Sequence, residues 1–236
     1  FALVSLPAYG LIVHDGTAAA RRAAAVTLLL AVLGEVALLL GFVLLADAVP
    51  GGSVAIADAV AALRGGKAPD LAIALLIAGF GLKAGLLPLH VWLPLAHPAA
   101  PMPASAVLSG AIVKAGIIGL LRFLPLDGSE AGWGAALAVI GFATAFWGVG
   151  CGITQRNPKT VLAYSTVSQM GLLAAALGLG MAAGASDAAP AIAFAALHHV
   201  LAKGALFLAV GVVAGLGGWR AMLLVLLPAL VLALGF

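Results

Sequence analysis

Charged residues make up only 8% of this chain, against about 25% in an ordinary soluble domain. A soluble fold would have almost no polar surface to present to water, so that class is excluded. Cysteine is nearly absent: Cys151 stands alone, which rules out a disulfide framework or a cysteine-ligated cluster built within the chain. Strict apolar/polar alternation in short segments, the mark of a membrane β-barrel, is missing. So are a GxxxxGK[ST] phosphate loop, a GxGxxG following a strand, and a serine in a nucleophile-elbow setting. The net charge of +3 rests on few residues, and no basic patch with interleaved aromatics points to nucleic acid. The opening FALVSLPAY carries neither a charged n-region nor an initiator Met, so no signal peptide is read there.

What the chain has is apolar length. Hydrophobic residues reach 64% of 236, with a mean hydropathy of +1.24. Eight segments stand out, at roughly 1–13, 23–46, 71–88, 104–124, 132–153, 160–182, 190–215 and 221–236. Most approach or exceed the ~20 residues that cross a ~30 Å hydrocarbon core. Residues 1–236 therefore read as one all-α, polytopic transmembrane domain, its first and last helices partial, cut from a longer protein. Abundant Gly and Ala within the segments let helix backbones approach closely in lipid.

Between the segments, 51–70 is the one long loop, and its middle, 54–64, reads as a short amphipathic helix at the membrane interface. PLHVWLPLAHPAAPMP (88–103) is proline-broken yet apolar. Irregular backbone at membrane depth is tolerated only where protein buries it or where it lines a water-filled cavity, so discontinuous helices of the transporter kind are expected here. Arg21, Arg22, Arg156, Lys159 and Arg220 sort to one side. Arg64, Lys67 and Arg122, diluted by Asp47, Asp58, Asp70, Asp127, Glu130 and Asp187, sort to the other; the positive-inside rule places the first set in the cytoplasm. Trp92, Trp133 and Trp219 fit an interfacial aromatic belt, while Trp147 sits deeper and reads as a packing residue.

The chemistry lies in the few charges inside the segments. Lys83, Lys114, Lys203 and Glu35 each occupy an apolar run. A lysine near the bilayer centre costs roughly 2.5–3.5 kcal/mol on insertion scales. Snorkelling explains a lysine within a turn or two of a helix end; Lys114 and Lys203 lie ten or more residues from either end of their segments, whereas Lys83 is five residues from Pro88. Burial favours the neutral form of a lysine, so such groups can exchange protons near neutral pH. His199 and Lys203 are four apart and share a helix face. His199 suits a proton relay; His90 and His97 flank the proline-broken stretch, and His90 is expected in the relay beside Lys83. Glu35 beside a lysine would be its counter-ion. No set of residues has the spacing of a metal site, and no cofactor is called for. Ser105, Ser109, Ser165 and Ser168 read as helix–helix hydrogen bonders or water holders. Lys83-Ala-Gly and Lys114-Ala-Gly share a tripeptide, a hint of duplication.

Three stretches, GLKAGLLPLHVWLPLAHPAAPMPASAVLSGAIVKAGIIGLLRF (81–123), QRNPKTVLAYSTVSQMG (155–171) and ALHHVLAKGALFLAVG (196–211), resemble the proton-pumping membrane subunits of respiratory complex I, of multisubunit sodium/proton antiporters and of membrane-bound hydrogenases. The AHPAAP wording is nearest the hydrogenase-type branch. The resemblance implies an inverted-repeat bundle with a central axis of lysines, histidines and glutamates. It places Lys83 on the first broken helix, Lys114 on the next helix, and His199 and Lys203 further along, with Glu35 where some members carry an acid. Two family positions depart: an early glutamate falls at Ala2 and a histidine at Ala195. The implied function is proton translocation, in a bacterial inner membrane, by a non-redox subunit of an energy-converting oxidoreductase complex with other membrane subunits as partners. The alternatives are a sodium/proton antiporter subunit or a non-pumping structural subunit.

Overall fold

The computed structural model describes residues 2–49, 51 and 55–216. The segment 221–236, Trp219 and Arg220 lie outside them, as does the Ala2 side chain. Among the described residues there is no strand. The helices are α1 (Ala2–Val13), α2 (Ala18–Ala48), α3 (Ile56–Arg64), α4 (Asp70–Ala84), α5 (Trp92–Ala99), α6 (Met102–Val107), α7 (Val113–Phe123), α8 (Ala131–Gly152), α9 (Pro158–Ala183) and α10 (Ala188–Leu216). A 3₁₀ turn, Leu89–Val91, precedes α5, and a π turn, Leu108–Ile112, joins α6 to α7. Among the described residues, six stretches are long and apolar enough to cross a membrane: Ala18–Ala48, Asp70–Ala99, Met102–Phe123, Ala131–Gly152, Pro158–Ala183 and Ala188–Gly215.

Helix ends follow local chemistry. Thr17 caps α2, its hydroxyl accepting from the Ala20 N–H at 3.0 Å, and Ala18–Ala20 are strong helix formers. The helix therefore starts five residues before the apolar run and takes in Arg21 and Arg22, which the hydrophobic pattern alone leaves outside. Asn157 caps α9 with Pro158 at its first position, where proline's missing N–H is no loss. Amphipathic α3 buries Ala59, Ala62 and Leu63 and is tied by Arg64 to Asp127 at 3.3 Å.

The bundle is inside-out relative to a soluble protein. Leu29, Val36, Val139, Phe146 and Phe194 are exposed, while Lys83, Lys114, Lys203, His97 and His199 are buried. Helices α8 and α9 pack along glycines: a Cβ on Gly141 would lie 2.4 Å from the Ala175 nitrogen, so backbone meets backbone at this point. Helices α2, α4 and α7 meet around Phe42, Phe80 and Phe123, whose ring centroids are 4.7–6.2 Å apart.

The proline-rich stretch is more helical than its composition suggests. Pro94 is the third residue of α5, where the N–H needs no intrahelical partner, and Pro98 falls in the last turn. His90, Trp92, Leu93, Ala96, His97 and Ala100 are buried, but Pro88, Val91, Leu95 and Pro103 are exposed. The true break is 85–91. Gly85 takes φ 80°, in the left-handed region, ending α4. The freed backbone finds partners: the Leu87 N–H donates to Thr144 Oγ1 at 3.0 Å and the Trp92 indole donates to the Leu82 carbonyl at 2.9 Å. Trp92 is thus a buried staple across the break and not a belt residue. The two Lys-Ala-Gly tripeptides also differ: Gly85 stops a helix, whereas Gly116 lies mid-helix against the Phe80 and Ala84 backbone.

Candidate functional site

Two buried polar stations occupy the bundle. The first joins α1, α2 and α4. Lys83, 5% exposed, donates through Nζ to Ser5 Oγ at 2.6 Å. Ser5 in turn donates to Glu35 Oε1 at 2.5 Å. Direct Lys83–Glu35 separation is 4.0 Å, an ion pair by distance but beyond hydrogen-bond reach. Beside them is a small cavity of about 20 Å³ lined by Ser5, Thr27, Lys83, Trp92 and Ile112 among others, room for about one water molecule. Glu35 also borders an apolar groove between α2, α4 and α7 that is edged by Arg122.

The second station joins α5, the π turn, α7, α9 and α10. Lys114 and Lys203 are 2% and 3% exposed. Lys114 donates to the Ser109 carbonyl, one π-turn register back. Lys203 donates to the Leu162 carbonyl at 3.3 Å. The two lysines are close enough for their charges to interact, and His97 and His199 both feel them. His97 is fully buried and stacks on Phe207 at 4.6 Å. Among the described residues, neither ring nitrogen of His97 or of His199 has a hydrogen-bond partner. Lys159, read from the sequence as a loop charge, reaches in: its ammonium donates to the Ala100 carbonyl at 2.5 Å and its charge is felt at His97.

The Nε2 of His90 accepts from the Trp147 indole at 3.0 Å. Trp147 is therefore a hydrogen-bonding residue, 51% exposed on the outside of the bundle. Trp133, of the expected belt, donates to Asp70 at 2.9 Å. The Trp133–Asp70 and Arg64–Asp127 contacts gather at one end of the bundle; Lys159, Ala100 and Asp15 gather at the other. This matches the charge sorting of the loops. Of the serines, Ser105 donates to the His97 carbonyl at 3.0 Å and Ser109 shares a 2.7 Å bond with Thr166.

Sequence reasoning missed Ser5, Thr166, Lys159 and the depth of His97. Ser5 had a faint signal: it lies on the same face of α1 as Ala8 and Ile12, all buried, and a lone hydroxyl on a buried face needs a partner. Ala195 is exposed on α10. Among the described residues no group of three or more His, Cys, Asp or Glu could hold a metal ion.

An all-α polytopic bundle with a broken helix pair has the build of the antiporter-like membrane proteins. Residues 1–222 match the family described as NADH:quinone oxidoreductase/Mrp antiporter, TM, and the chain belongs to it. It is 42% identical over 147 residues to hydrogenase-4 component B of Escherichia coli K12, covering 57% of this chain and 22% of that protein. It is 36% identical over 202 residues to a Na(+)/H(+) antiporter subunit of Bacillus subtilis 168, covering 82% and 25%. Among solved structures, the archaeal membrane-bound sulfane sulfur reductase aligns with a TM-score of 0.77 at 31% identity, covering 88% of this chain and 42% of that one. The chain thus spans between about a fifth and two-fifths of the length of these relatives.

Proposed function

We propose that this chain is the proton-conducting part of an antiporter-like subunit in a bacterial cell membrane, working within a larger energy-converting oxidoreductase complex. The observation that carries the reading is the burial of three lysines with, among the described residues, one carboxylate paired to them. Each such charge is costly in lipid, and structural packing needs none of them. Lys83 is poised against Glu35; Lys114 and Lys203 rest on carbonyls, which accept from the ammonium without fixing its proton. The unpartnered nitrogens of His97 and His199 favour water at the second station, since buried polar groups are nearly always satisfied by protein or water.

On this reading a proton moves between the Lys83 station and the Lys114–Lys203 station by way of water and the two histidines. A proton arriving on one lysine repels that on its neighbour, because Coulomb energies are large where the effective dielectric is low. A partner complex that alters the local field then gives the transfer its direction.

Sodium/proton exchange is the second reading, favoured by the likeness to a Na(+)/H(+) antiporter protein. Sodium needs several hard oxygen ligands converging, and Glu35, the carboxylate on this axis, is already held by Ser5 and Lys83. That favours protons. The test is proton flux measured with a pH dye in inside-out vesicles carrying the full-length protein in its complex. Flux that persists in sodium-free medium supports the proton reading. Flux that appears only when sodium is added replaces it with exchange.

A further inference from the structure

We propose that the Ser5 hydroxyl is an obligatory proton bridge between Glu35 and Lys83, so that the acidic partner of the first lysine acts from α2 through a side chain of α1. This rests on the proton-conducting reading above and specifies its first station.

The geometry offers a direct route through protein atoms. Lys83 Nζ and Glu35 Oε1 are 4.0 Å apart, too far for a proton to pass between them. Ser5 Oγ sits between, 2.6 Å from the nitrogen and 2.5 Å from the oxygen, both short as charge-assisted bonds are. A hydroxyl accepts and donates at once. In the transfer step an Nζ–H bond of the Lys83 ammonium breaks as a proton binds Ser5 Oγ. The original Oγ–H bond breaks as that proton binds Glu35 Oε1. Lysine ends as a neutral amine, glutamate as a neutral acid, and serine is a hydroxyl before and after, so no charge is left over. Reversal regenerates the ion pair. Ser5 is 5% exposed, and Ala8 and Ile12, on the same face of α1, are buried, so the hydroxyl is held where it is needed. The adjoining cavity, about 20 Å³, holds about one water, the competitor for the bridging role.

The experiment compares S5A, S5T, E35Q, K83A and K114A in the full complex, reading proton flux in vesicles and the infrared carbonyl band of protonated Glu35, identified by its loss in E35Q. Expected for S5A is an assembled complex with flux down about tenfold or more, on the scale of a lost proton-transfer group. S5T, which keeps the hydroxyl, should retain flux. K83A should change the Glu35 band in the wild-type background and leave it unchanged in the S5A background. Should S5A fail to assemble, Ser5→Cys retains the size with a poor hydrogen-bonding group, and the same loss is expected. S5A flux within twofold of wild type, with E35Q and K83A inactive, overturns the serine bridge and assigns the role to water while leaving the proton-conducting reading intact. Normal flux in E35Q, K83A and K114A together defeats that reading itself.

Discussion

Lys203 and Lys114 are joined through Leu162, Thr166 and Ser109. The Leu162 carbonyl accepts from both the Lys203 ammonium at 3.3 Å and the Thr166 hydroxyl at 2.9 Å. Because Thr166 has one proton and gives it to Leu162, Ser109 must be the donor in its 2.7 Å bond to Thr166. The Ser109 carbonyl then takes the Lys114 ammonium. Helix α9 thereby sets the positions of lysines on α7 and α10.

Replacing Thr166 with Val keeps the shape and removes the link. One buried hydroxyl, Ser109, loses its partner, at a cost of about 1–3 kcal/mol, and the hydroxyl link between the residues whose carbonyls hold the two lysines is cut. Flux should fall with a lower melting temperature, and T166S should restore both. Flux at the wild-type level in T166V would show that the lysines do not depend on this tether.

The α8–α9 seam makes a purely structural prediction. Gly141→Val places a branched side chain where a Cβ alone would stand 2.4 Å from the Ala175 nitrogen. Overpacking costs about 1–3 kcal/mol where side chains can yield; here backbone must move, so the loss should be at least that. Detergent-solubilised protein should melt earlier or fail to assemble. An unchanged melting temperature would mean the helices are not in contact at Gly141.

Trp147 and His90 give a third. Trp147→Phe keeps the ring and removes the indole donor, leaving buried His90 short of its 3.0 Å partner. Destabilisation of about 1–3 kcal/mol is expected, and Trp147→His, which can donate, should recover part of it. Equal stability of W147F and wild type would argue against this bond.

At the membrane edge, Asp127 accepts from the Ser129 hydroxyl at 2.6 Å and N–H at 3.0 Å, with Arg64 beside it. The Ser129 hydroxyl first, then its N–H and Arg64, hold the Asp127 carboxyl below the usual carboxylate range. A lowered native value stabilises the fold above the unfolded value near 3.9 and is lost as pH falls through the native one. The melting difference between wild type and D127N should therefore stay constant from pH 9 to 6 and shrink only in acid. A difference that changes across neutral pH would contradict this.

The sequence carried the bundle because lipid imposes it: apolar length marks the spans, and a charge inside one stands out by its cost. It carried Lys83, Lys114, Lys203 and Glu35 for the same reason. Helix starts such as Thr17 were obscured because arginines in a first turn look like loop. Trp92 was misplaced because a tryptophan at an interface and one stapling a break have the same local sequence, and the Trp147–His90 bond joins residues too far apart in the chain for any local pattern to show it. Ser5 and Thr166 were invisible as functional groups because a hydroxyl facing lipid and one bridging polar groups of neighbouring helices differ only in tertiary context. Lys159 followed a proline-marked helix start and read as solvated, yet its long stem carries the ammonium inward to Ala100.

The central claim is that the buried lysines carry protons, and Lys114 tests it most directly because its helix, α7, packs against both α4, which carries Lys83, and α10, which carries Lys203. Lys114→Ala removes a buried charge, so assembly and melting temperature should hold or rise, while dye-reported proton flux into vesicles falls to near the uncoupled background. Wild-type flux in an assembled K114A complex would contradict the account.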